Sequence, residues 1–474
     1  MVFSSVVFLV WFLPLSLIIY YLLPFKYKNY FLLAISLVFY AWGAPKFTLV
    51  LSISVIIDFY LVKMMVTSKS MHYKRLILTI SVLISLLFLL YFKYANFFIE
   101  NLNLALVSAH SDKIINWPKV ILPIGISFFT FQKITYSIDI YRGNTQPAQN
   151  AAFYLLYVVM YPQLIAGPIV RYNSVAKQLN ARTHFMSDRI NGFIRFGIGL
   201  AKKVLIANVL GEYADAFFNH SFIDRNTGEA WIALLSYAFQ IYYDFAGYSD
   251  MAIGLGRMFG FTFPENFDSP YTSKSITEFW RRWHITLGHW MRDYLYIPLG
   301  GNRVNNKLRL YFNLWLVFLI SGLWHGASWN FVIWGAYHGL FLALERLFLI
   351  KLLKKAGIGF SWLFTFFLVI NGWVFFRVES FSESLHFFKL LYGGISLPTV
   401  NNSPFGFWLI FVVAVFFSFS SSIRAGKNLE IIFHRGSKQL TVTVISLAVV
   451  IVLYILSLSQ IVSSNYNPFI YFRF

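Results

Sequence analysis

The chain has 474 residues, of which 58% are hydrophobic and only 12% charged; a soluble globular domain carries roughly 25% charged residues, so an ordinary soluble fold is excluded in favour of a polytopic membrane protein. The net charge of +20 sits in short loops between apolar runs, which is the positive-inside pattern and not a nucleic-acid footprint, and it suits contact with the anionic headgroups of a lipid bilayer. The absence of cysteine excludes disulfides, a thiolate nucleophile and cysteine zinc ligands.

Spanning helices need about 20 mostly apolar residues. In chain order the candidates are Val6–Leu23, Tyr30–Trp42, Phe47–Met65 and Leu76–Phe92, the first read as a retained helix because no charge precedes Lys26. Val120–Ile140 and Phe153–Pro168 are weaker, being broken by Pro123, Gly125, Pro162, Gly167 and Pro168. Phe193–Phe218 is interrupted by Arg195, Lys202 and Lys203. Then come Trp231–Ile253, Leu310–Trp324, Trp329–Ile350, Ser361–Phe376, Phe405–Phe419 and Leu440–Ile461. The expectation is one all-α membrane domain over residues 1–474 with about 11–13 membrane segments. Lys63, Lys69, Lys74 and Arg75 fix one inside loop, and Arg424, Lys427, Arg435 and Lys438 another. If both weaker segments crossed fully, the basic stretch Arg171–Arg189 would lie outside, so one of them is expected to be re-entrant.

Gly254–Arg309 is too polar to span simply and too aromatic for a free loop. On a continuous helix Phe279, Trp283, Leu287, Trp290 and Tyr294 share one face, Arg281, Arg282, His289, Arg292 and Asp293 point the other way, and His284 lies at the edge. Composition alone allows an interfacial amphipathic helix. The functional reading is a re-entrant helix that delivers His284 into a protein cavity, with Arg281 and Arg282 suited to donor phosphates.

Trp324-His325 sits between two apolar runs. Ionisable groups at membrane depth are costly and mark pathways or reaction centres, and histidine can take and return a proton near neutral pH. A packed, hydrogen-bonded histidine is the equal alternative on residues alone. His338 reads as structural, and His72, His110, His184, His220, His386 and His434 carry no signal. Asp58, Asp139 and Asp244 are each expected to pair with a nearby Arg or Lys, Asp244 having the best claim to line a polar cavity together with Gln240, Trp324 and Asn330. No serine-hydrolase elbow, Walker sequence, zinc-protease motif or dinucleotide fingerprint is present, and no metal site is expected. Two membrane histidines without these motifs favour general-base transfer, in which an acceptor hydroxyl attacks a bound thioester.

Several segments together resemble the membrane-bound O-acyltransferase family, and more narrowly the alginate-type side of its bacterial branch. They are residues 39–43, 122–132, 161–168, 243–252, 279–284, 292–302, 323–327 and 466–472. The resemblance implies a helical bundle around a central funnel or tunnel in the bacterial cytoplasmic (inner) membrane. It matches His325 to the family's membrane histidine and His284 to the second histidine of the bacterial branch. It further implies no bound cofactor, an acyl thioester such as acetyl-CoA as donor, a cell-surface polysaccharide pathway, and a separate SGNH-type acetyltransferase partner outside. D-alanyl transfer from a carrier protein and a non-catalytic acyl conduit are the competing readings.

Overall fold

The computed structural model describes residues 1–110, 113–165, 167–220, 222, 225–394, 406–437, 439–464 and 466–470. Ala166, Phe405, Lys438, Tyr471 and Phe472, which the sequence reading used, lie outside the described residues. Every regular element among the described residues is helical. The chain divides into two compact units, Met1–Arg189 with Gly256–Phe263 and Ile190–Leu255 with Pro264–Phe474.

Among the described residues five helices are long and apolar enough to cross a bilayer by themselves: Pro45–Thr67, Met71–Ser108, Lys307–His325, Ile358–Arg377 and Leu440–Ser463. Phe407–Ser422 and Arg424–His434, bent by 98°, form a broken span or a re-entrant loop. The protein is a multi-pass membrane protein. The remaining segments expected from hydropathy fall short of that test alone because they are shorter, more polar or broken.

In the first unit, Ile126–Tyr141 begins at Gly125, whose φ of 78° suits a residue without Cβ. A side chain there would also come within 3.0 Å of the Leu164 carbonyl oxygen. The second weak segment contains only the nine-residue helix Ala151–Val159 before the chain breaks at Met160. Nine residues rise about 14 Å, roughly half of a hydrocarbon core, so this helix does not cross a bilayer. Asp58, buried in Pro45–Thr67, is not orphaned. It accepts hydrogen bonds from the hydroxyls of Ser81, Ser137 and Tyr154, drawn from three different segments.

The second unit is organised around Thr227–Met258, a 32-residue helix that is buried on nearly every side from Ser236 to Leu255. Its burial by protein explains how it carries Gln240, Asp244, Ser249 and Asp250 within an apolar run. The charges that interrupt Phe193–Phe218 are the partners of these residues. Arg195 and Lys202 both pair with Asp250, at 2.8 and 2.7 Å, and Lys203 pairs with Asp244 at 2.8 Å. Lys307–His325 and Trp329–Leu344 form a tight helical hairpin. At Gly322 an added Cβ would lie 2.1 Å from the Phe331 carbonyl oxygen, and at Gly335 one would lie 2.4 Å from that of Phe318. Small residues let helix backbones approach this closely in membranes.

The continuous helix expected over residues 279–294 is not formed. Ile276–Arg282 and Ile285–Met291 are two short helices separated by Trp283 and His284. The aromatic face still goes inward, with Phe279, Trp283, Leu287 and Trp290 all buried.

Candidate active site

Helix Lys307–His325 ends at His325 because Gly326 is extended, with φ −159° and ψ 151°. An added Cβ at Gly326 would overlap the Phe331 ring, at 2.1 Å. The turn therefore holds the imidazole against Trp324, Trp334 and Phe376, with ring centroids at 4.9, 5.1 and 5.3 Å. His325 is buried at 5% exposure, although it lies at the end of a membrane-capable helix.

One wall of a small chamber is the His325 ring. Three indoles, Trp283, Trp334 and Trp373, interlock around it, with Trp373 4.9 Å from Trp283 and 6.1 Å from Trp334. Phe245 and Phe376 add two more rings, and Ile241 and Ile470 are the aliphatic members.

His284 lies against the same Trp324 ring, 6.0 Å from it between centroids, and packs edge-on against Phe245 at 4.7 Å. Its backbone is left-handed, with φ 44° and ψ 53°. That conformation is uncommon for a residue other than glycine and costs about 1–2 kcal/mol. Asn266 holds it. The Asn266 side-chain oxygen accepts from Thr286 N at 3.2 Å and Thr286 Oγ1 at 2.8 Å, and it lies 3.0 Å from His284 Nδ1. An oxygen that already accepts from a backbone N–H assigns the proton to Nδ1, so Nε2 carries the lone pair. Nε2 is buried without a hydrogen-bond partner among the described residues. Burial pulls the imidazole down to about 3, so His284 is neutral at physiological pH.

The other expected residues divide. Trp324 packs against both histidines. Asn330, 2% exposed, donates to the Val378 carbonyl at 2.6 Å and to Ser384 Oγ at 3.1 Å, leaving its own Oδ1 without a partner among the described residues. Gln240 is buried beside Gly211, where a Cβ would meet its Nε2 at 2.4 Å, and its Oε1 also lacks a partner there. Asp244 does not stand as an open cavity group. It holds Lys203 at 2.8 Å and accepts from the backbone N–H of Ile470 at 2.8 Å, thereby fixing one wall of the His325 chamber. Arg282 pairs with Glu278 at 2.7 Å, one turn back on the same helix, whereas Arg281 is exposed. His338 is fully buried between Trp280 and Trp334, each at 5.0 Å.

The sequence reading gave no role to Asn266, Trp334, Trp373 or Lys203, and it placed Ile470 only within the 466–472 segment. No motif spacing ties any of them to the histidines. Lys203 was legible only as an interruption of an apolar run.

The fold and this arrangement define a class: a helical membrane protein with two buried histidines set in an aromatic core, one of them facing a chamber. Residues 147–381 match the family description "MBOAT, membrane-bound O-acyltransferase family". The chain is 45% identical over 406 residues to the probable alginate O-acetylase AlgI of Azotobacter vinelandii, covering 85% of this chain and 81% of that protein. It is 41% identical over 496 residues to the probable alginate O-acetylase AlgI of Pseudomonas putida, covering 100% of both. To the peptidoglycan O-acetyltransferase of Helicobacter pylori it is 38% identical over 438 residues, 84% of this chain and 81% of that protein. The chain belongs to the membrane-bound O-acyltransferase family and is an O-acyltransferase that works by membrane acyl transfer.

Proposed function

We propose that the protein transfers an acetyl group from a thioester bound on the cytoplasmic side of the bacterial inner membrane to a hydroxyl presented from the outer side, in the O-acetylation of a cell-surface polysaccharide. The observation that carries this reading is the burial of His325 against a small aromatic chamber, in a chain similar over its full length to a probable alginate O-acetylase.

In the proposed step the acceptor oxygen attacks the thioester carbonyl carbon while its proton passes to His325. A carbon–oxygen bond forms, the carbon–sulfur bond breaks, and the imidazolium returns the proton to the departing thiolate. His284, neutral and with its Nε2 lone pair without a partner among the described residues, positions the acceptor hydroxyl or the donor beside Trp324. The immediate acceptor is either the polymer itself or the nucleophile of a separate SGNH-type acetyltransferase outside the membrane, and acetyl-CoA is the simplest donor.

The test is the ester content of surface polysaccharide in cells that carry His325→Ala, at matched abundance in the membrane. Loss of esters supports the assignment. Wild-type ester content would reject it and favour an acyl conduit in which the histidines only line the path.

A further inference from the structure

We infer that the corner of the first unit around Lys28, His184 and Arg189 is a phosphate-binding site, and that it takes the headgroup phosphate of an anionic phospholipid in the inner leaflet.

The site is built on two neighbouring tyrosines near the end of helix Leu13–Leu22. Tyr20 and Tyr21 pack edge to face at 5.3 Å. Lys28 Nζ lies over both rings, at 4.7 and 5.0 Å. The Arg189 guanidinium lies over Tyr21 at 3.8 Å, and His184 meets both rings edge-on at 5.6 Å. Arg182 donates to the Tyr20 hydroxyl from Nε at 2.9 Å and from Nη2 at 2.7 Å. Three cations thus share one pair of rings. The loop holding Lys26 and Lys28 and the basic stretch Arg171–Arg189 meet here, and positive-inside charge puts both on the inner face.

The protein does not balance this charge with a counter-ion. None of Lys28, Arg182 and Arg189 pairs with a carboxylate among the described residues. Asp188, in the first turn of helix Met186–Ala201, forms no ion pair there either. The tyrosine faces offset part of the repulsion between the cations. The positive field reaches His184, whose imidazole is pulled down to about 4 by burial and then by Lys28, Arg182 and Arg189. It is therefore neutral and carries one N–H at physiological pH.

The hydrogen-bond donors divide into used and unused. Arg182 is committed to Tyr20, Asn29 and the carbonyls of Gln178 and Phe259. Lys28 is only 8% exposed, yet it donates to no acceptor among the described residues. Arg189 Nε and both ring nitrogens of His184 are shielded from water and also lack a partner there. An ammonium, a guanidinium N–H and an imidazole N–H, all held against Tyr21, match the negative charge and several acceptor oxygens of a phosphate group.

The rim points to a lipid as the source. Leu22, Phe25, Phe185 and Met186, which flank these residues in the chain, are all exposed. Arg182 lies 5.4 Å over the Phe25 ring. Cations set among exposed apolar side chains suit a ligand that is anionic at one end and apolar at the other. A soluble phosphate would leave the apolar rim in water.

The experiment titrates the purified full chain in detergent with phosphatidylglycerol and, separately, with phosphatidylcholine, and counts bound lipid by native mass spectrometry. Wild type is expected to hold one phosphatidylglycerol at least about fivefold more tightly than phosphatidylcholine. Each cation facing an anionic headgroup is worth about fivefold in binding, so Lys28→Gln combined with Arg189→Gln should lose about 25-fold for phosphatidylglycerol. Lys354→Gln combined with Lys355→Gln removes the same charge from an exposed helix end and should leave the affinity unchanged. If the double variant at Lys28 and Arg189 does not accumulate, Arg189→Gln alone should lose about fivefold. Wild-type affinity in the site variants, or an equal loss in the Lys354 and Lys355 control, would overturn the site. Displacement of the lipid by micromolar inorganic phosphate would assign the site to a soluble phosphate and overturn the lipid source.

Discussion

Trp324 packs against both His325 and His284, its ring 4.9 Å from the first imidazole and 6.0 Å from the second. Two imidazoles 41 positions apart in sequence thus share one indole. They are also joined through Phe245, which touches His284 and lines the chamber of His325. The arrangement gives the histidines different duties, since one faces the chamber and the other is pinned by Asn266.

His325 is predicted to be indispensable as a base. His325→Ala and His325→Gln should each lower surface ester formation by about 100-fold or more, the usual scale of general-base catalysis. Quantitative blotting of membranes should show unchanged abundance. Glutamine retains a polar group but takes no proton, so recovery of activity in that variant would contradict the role.

For His284, the backbone and the ring can be tested separately. Asparagine tolerates the left-handed conformation better than most residues, so His284→Asn should fold at normal abundance while losing at least about 10-fold in ester formation. His284→Ala loses the same ring and also the fit to φ 44°, so it should melt lower in detergent than His284→Asn. Equal activity of His284→Asn and wild type would assign the imidazole to packing.

The same histidine makes an acid-stability prediction. Its folded-state value of about 3 lies below the ordinary 6.5, so between these limits the unfolded chain binds the extra proton and stability falls as pH falls. Above pH 6.5 the group contributes no pH dependence. The melting temperature of wild type should therefore drop more steeply than that of His284→Asn as pH is lowered from 6.5. Parallel curves would show that the buried imidazole is not the source.

Lys203 and Asp244 are each 2% exposed and 2.8 Å apart. Removing one partner of such a pair leaves a buried charge, at a cost of about 3–5 kcal/mol. Lys203→Met should lower the melting temperature sharply and, through Asp244 and Ile470, disturb the chamber. Lys203→Met combined with Asp244→Leu should recover part of that loss. A single variant as stable as wild type would mean that the pair is open to water.

Gly335→Ala places a methyl 2.4 Å from the Phe318 carbonyl oxygen and 3.1 Å from the Leu319 Cα. The hairpin must open, shifting Trp334 relative to His325, and activity should fall together with thermal stability. Gly359→Ala, where nothing lies within 4 Å of the new Cβ, is the matched control and should behave as wild type.

The sequence by itself determined the class of solvent and the helical architecture, and it singled out His284 and His325 as candidates. Charge depletion and long apolar runs report the bilayer directly, since spanning length and hydropathy are local properties of the chain. The interruption at Phe153–Pro168 was legible because proline breaks a helix locally. Other features are decided between distant segments. The face pattern of residues 279–294 read as one helix, yet Asn266 and the packing of Trp283 break it at His284, because burial of the aromatic groups and three hydrogen bonds to one amide oxygen outweigh the helical register. A basic partner for Asp244 was expected from the sequence, but that it is Lys203 on another helix was decided by packing. The chamber beside His325 combines the central helix, the helical hairpin, Ile358–Arg377 and residue 470. Only the tertiary structure could specify it, because an empty space a few ångströms wide belongs to no single segment and is set by how all of them pack.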